Sequence, residues 1–103
     1  MITNESSMRE KIDAVSERMI EADGPDSGLV VMDGFDDCIV GVASRFHDTF
    51  VVYDIEKVLN KLEADGMTRE EAVEFHEFNQ AGAWVGPRTP AFIDTRCSWW
   101  MAE

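Results

Sequence analysis

DIEKVLNKLEADGMTREEAVEFHEFNQAGAWVGPRTPAFI, residues 54–93, holds two helix signatures, the joint between them and the exit from the second. Ile55, Val58, Leu59 and Leu62 recur at helical offsets with Glu, Lys and Asn between them, so the spacing predicts an amphipathic helix with one apolar face. Asp54 stands at the N-cap, where a carboxylate takes a free backbone N–H, and Gly66 stands where a left-handed residue ends a helix. Thr68-Arg69-Glu70-Glu71 then forms a capping box for a second helix, with Met67 placed to staple onto its first turn. On that helix Ala72, Phe75 and Phe78 share the predicted apolar side, with Asn79 among them and His76 near its edge. Glu70, Glu71, Glu74 and Glu77 line the opposite side. An unpartnered buried amide costs roughly 1–3 kcal/mol, so Asn79 is expected to clamp the backbone of the loop that follows. Gly86 and Thr89 precede prolines, which bias them toward extended backbone, and the chain should run straight there. Trp84 is expected to be a core anchor, whose loss costs roughly 3–5 kcal/mol.

The run Val52-Tyr53-Asp54, then Gly66-Met67-Thr68-Arg69-Glu70-Glu71-Ala72, Phe78-Asn79, and Gly82-Ala83-Trp84-Val85-Gly86 with Thr89-Pro90 behind it, resembles a family of small bacteriophage-encoded proteins. The likeness covers residues 38–93, and the Gly82–Gly86 run is its least generic part. It implies a phage or prophage origin and synthesis in the host cytoplasm. It brings no catalytic residues with it.

Outward from this centre, Met8, Ile12, Val15, Met19 and Ala22 predict an N-terminal amphipathic helix. Ser7-Met8-Arg9-Glu10 would cap its start, and Gly24-Pro25 would end it. Leu29–Met32, Cys38–Ala43 and Thr49–Tyr53 read as three strands of an antiparallel meander. Asp33-Gly34 supplies a turn, Gly41 a bulge or close approach, and Ala91-Phe92-Ile93 a fourth strand. The expected fold is therefore α+β: a small antiparallel sheet of three to four strands packed by an N-terminal helix and a central helix pair. One domain should span residues 1–103, with 1–6 and 95–103 as flexible or docking tails.

The net charge is −12, from 21 acidic against 9 basic side chains, which argues against direct contact with a phosphate backbone. No apolar run is long enough to cross a bilayer and the start lacks a signal-peptide pattern, so a cytoplasmic protein is expected. Cys38, Cys97, His47 and His76 show none of the close spacings of zinc sites, so no metal or other cofactor is anticipated. Arg45, His47, Asp48, Tyr53 and Asp54 offer acid and base groups at one end of the hairpin, without a nucleophile motif or a phosphate loop beside them. The expectation is a non-catalytic protein. Two classes of role stay open. In the first, Glu70, Glu74 and Glu77 form a row of carboxylates toward a basic protein partner, aided by Trp99 and Trp100 in the tail, which either dock on their own domain or meet another chain. In the second, His76, Asn79, Trp84, Arg88 and Thr89 build a ligand-binding or structural module, in a homo-oligomer, around the loop from Trp84 to Pro90.

Overall fold

The computed structural model describes residues 4–95. Helix α1, Asn4–Asp23, leads through short 3-10 turns at Pro25–Ser27 and Asp36–Cys38 to strand β1, Ile39–Arg45, and strand β2, Asp48–Asp54. Helices α2, Ile55–Ala64, and α3, Arg69–His76, follow; a π-helical turn, Glu77–Ala81, extends α3, and strand β3, Ala91–Ile93, completes the sheet.

The fold is α+β, and its sheet has three strands in the order β1-β2-β3. β1 and β2 pair antiparallel, but β2 and β3 pair parallel, so the sheet is mixed and not the antiparallel one expected from sequence. The connection explains this. Residues 55–90 cross over through two helices, and a crossover, unlike a hairpin, delivers the chain beside its strand in the same direction. Leu29–Met32 is the second correction, because it forms no strand. Its backbone is held by side chains: Leu29 N–H donates to Ser16 Oγ at 2.9 Å, and Met32 N–H donates to the Tyr53 hydroxyl at 2.7 Å. With its two end donors held by α1 and by β2's tyrosine, that segment packs Leu29, Val31 and Met32 against the core. Helix α1 also starts a turn earlier than the Ser7 box implies, since a polar first turn carries no apolar spacing to reveal it.

Alternation along β2 turns Val51 and Tyr53 inward, against Ile12 of α1, Val58, Leu59 and Leu62 of α2, and Ala72 of α3. Cys38 and Ile39 close this core from the start of β1. The register of the hairpin slips between Ile39 and Gly41, the bulge that Gly41 foretold. Both cap signatures hold: Asp54 Oδ1 accepts from Lys57 N–H, and Thr68 and Glu71 bond reciprocally at 3.1 and 2.9 Å. Gly66 takes φ 114°, the left-handed value expected of it.

The two-residue loop Phe46-His47 joins β1 to β2. Phe46 takes φ 58° and is 92% exposed. Such a backbone costs a bulky L residue roughly 1–2 kcal/mol.

Candidate functional site

Helix α3 is bound to its neighbour by polar and small groups. Arg69 reaches back from its first turn to Glu56 at 2.8 Å and Glu63 at 3.5 Å, both on α2. Ala72, fully buried, is small enough to let the two helices approach closely, and His76, one turn further and 1% exposed, continues the buried face. This rotates the helix away from the orientation expected from its apolar residues. Phe75 stands at the edge and Phe78, 78% exposed, faces solvent. The missed signal was Ala72, since the closest approach of two helices goes to the smallest side chain.

The outward turn of Phe75 and Phe78 creates a shallow groove of about 460 Å³, lined by Met67, Glu71, Glu74, Phe75, Phe78 and Asn79. Glu71 is partly committed to the Thr68 cap, while Glu70, Glu74 and Glu77 are exposed and form no ion pair with any described cation. The sequence-derived row of carboxylates is thus present and accessible. Its exposed aromatic companions were not foreseen.

Beyond His76 the helical period changes. Gly82 N–H donates to the Glu77 carbonyl five residues back, at 3.1 Å, so the last turn is wider than an α turn. A Cβ on Gly82 would sit 2.9 Å from that carbonyl oxygen, which is why glycine stands there. The wider turn carries Asn79 outward, where it is exposed and its side chain makes no hydrogen bond among the described residues, contrary to expectation. Gln80 comes inward instead, and its Oε1 lies 2.8 Å from His76 Nδ1. The His76 ring also meets Phe92 of β3 edge to face at 4.6 Å. Ile55, His76, Glu77, Ala81, Gly82, Phe92 and Asp94 line a second cleft of about 420 Å³.

The loop that follows differs most from expectation. Trp84 is 74% exposed and is not a core anchor. The clamp belongs to Thr89, whose hydroxyl accepts from Val85 N–H at 2.8 Å and donates to the Gly86 carbonyl at 2.6 Å. This local ring, closed at Gly86 with φ 111°, shapes the loop without help from an indole. Arg88 is half-buried, and its Nε is enclosed without a hydrogen-bond partner. Of the five loop and pocket residues, His76 lines the cleft beside Phe92, whereas Asn79 lines the groove beside Phe78. Trp99 and Trp100 lie outside the described residues.

The proposed acid and base cluster is also divided. Arg45, His47 and Asp48 sit at the hairpin tip, whereas Tyr53 and Asp54 are at the far end of β2. Tyr53 is fully buried, and burial pushes its phenol above the ordinary value, so it serves Met32 as a neutral acceptor. Burial, with Asp37 beside it, likewise pushes the free Cys38 thiol up to about 12. Such a thiol is inert at neutral pH. Among the described residues no group of three or more Cys, His, Asp and Glu is placed to hold a metal.

No family model, curated protein or solved structure matches this chain. The site therefore rests on its own geometry. No helix among the described residues is long and apolar enough to cross a membrane.

Proposed function

We propose that this chain is a non-catalytic binding protein that takes a basic protein partner on the outward face of α3. The single observation that carries the reading is Phe78, standing 78% exposed in a groove walled by Glu71 and Glu74. A protein surface gains by hiding such a ring, and carboxylates around it select a partner that brings cations to the rim and an apolar group to the centre. Glu70, Glu74 and Glu77 extend the negative field along the helix, within a net charge of −12. The resemblance of the Gly82–Gly86 run to small bacteriophage-encoded proteins supports the proposal of a phage-type accessory role, acting on a host or phage protein in the host cytoplasm.

The test is capture of partners by the wild-type chain, by a Glu70→Lys, Glu74→Lys, Glu77→Lys variant, and by Phe78→Ser. All four positions are exposed, so the fold should survive each change. A partner retained by the wild type and lost by both variants, with affinity falling about tenfold or more on going from low to high salt, supports the reading. Equal capture by all three chains, or an affinity indifferent to salt, removes it.

A second reading, a ligand-binding or structural module at the Trp84–Pro90 loop, draws support from the enclosed Nε of Arg88 and from the cleft beside His76, whose size suits a small molecule. Arg88→Lys would separate the two. It should leave α3 capture intact and weaken only a ligand held by the loop.

A further inference from the structure

We propose that the outer edge of β1 is a pairing edge for a second copy of this chain, joined antiparallel about a two-fold axis at Val42 so that two sheets become one. In the order β1-β2-β3 the two outer strands are β1 and β3; β3 has three residues, whereas β1 has seven, and no described segment pairs with its outer side. Natural edges of this length are usually blunted by proline, lysine or an inward charge. β1, Ile-Val-Gly-Val-Ala-Ser-Arg, has none of these before its last residue, and its bulge disturbs only the Ile39–Gly41 end. Val40 and Val42 are both among the exposed large apolar side chains.

The ladder fixes which groups are free. With a two-residue loop, Arg45 and Asp48 close the hairpin as a hydrogen-bonded pair, and alternation then gives Ala43 and Gly41 to β2. The N–H and C=O of Val42 and Ser44 consequently point away from β2. A two-fold pairing centred on Val42 lets the two copies of that residue exchange both bonds and sets Ser44 opposite Val40 of the second copy. It also carries Arg45, which has no ion pair among the described residues, to Ile39 of the second copy, two positions from Asp37. A parallel pairing would bring like ends together.

Charge distribution favours this edge as well. The chain carries 21 carboxylate residues, yet Cys38–His47 contains none. Two copies of net charge −12 therefore meet with least repulsion along the one long strand that is open. This interface is independent of the α3 groove and stands or falls without it.

Sedimentation equilibrium across concentration, with amide hydrogen exchange, tests the proposal. The expected result is a monomer that becomes a dimer as concentration rises, with exchange at Val42 and Ser44 slowed about tenfold or more in the dimer and exchange at Ala43 unchanged. Val42→Pro removes an outward N–H without touching the bonds to β2, so a folded monomer is expected. Val42→Lys places a charge on the edge and serves as the second variant should proline disturb the strand. A wild-type monomer up to about 1 mM overturns the proposal. So does a dimer that persists in folded Val42→Pro and Val42→Lys chains, or a monomer whose Val42 and Ser44 amides are already protected, which would place another segment of the same chain on that edge.

Discussion

Cys38 and Tyr53 are both buried at the open end of the β1–β2 hairpin, where Ile39 pairs with Tyr53, and both are held neutral by their surroundings. For the thiol the folded value is raised from an ordinary 9.0 to about 12, so its contribution to stability is complete below pH 9 and is lost as the pH rises toward 12. The tyrosine shifts in the same direction. Stability should accordingly decline above about pH 9, and denaturant midpoints measured from pH 7 upward check this. Cys38→Ala should flatten part of the decline, and a thiol reagent at pH 8 should react at residue 38 only as fast as the protein opens. A profile flat from pH 8 to 11 would contradict the assignment. At this scale the sequence was readable where a residue's local chemistry decides its role. Asp54, Gly66, Thr68 and Glu71 do what their types imply because caps are made with the nearest backbone. Trp84 and Asn79 were misplaced because their positions depend on the wider turn at Glu77–Ala81, which only the pairing of Gly82 with Glu77 reveals.

Helix α2 was legible in full because its one apolar face matches one buried face. Helix α3 was legible at its capped start but not at its end or in its rotation: the α-helix stops at His76, and Ala72 and His76 sit inside while the larger Phe78 sits outside. Size and hydrophobicity pointed one way, and the close approach of two helices, clasped by Arg69 to Glu56 and Glu63, decided the other. This predicts unequal costs along α3. Ala72→Leu should destabilise the fold by about 1–3 kcal/mol through overpacking, whereas Phe78→Ala should stay within about 0.5 kcal/mol. Thr68→Ala should lose about 1 kcal/mol with its cap. Urea unfolding of the three variants provides the comparison, and a Phe78→Ala loss as large as that of Ala72→Leu would restore the rejected rotation.

At the scale of the molecule, an excess of 12 negative charges remains after every cation is counted and works against compactness, and the described ion pairs, made by Arg9, Lys61 and Arg69, are partly exposed and relieve little of that repulsion. Raising salt from low to moderate concentration should therefore raise the thermal midpoint, since screening of exposed like charges outweighs the loss of a few surface ion pairs. A midpoint that falls with salt would show that those pairs matter more than the surplus. The α+β class could be read from the alternation of helical and strand periods, but the direction of β3 could not, because three residues carry no record of which way their neighbour runs. That parallel strand has a further consequence for assembly of the fold during synthesis. The hairpin and the helical pair can form from chain already made, yet Tyr53 and His76 share one late-arriving lid, the ring of Phe92. Until residues 55–90 have all emerged, the flank of β2 stays bare, and a nascent chain halted before Ala91 should offer that flank to any passing strand or chaperone.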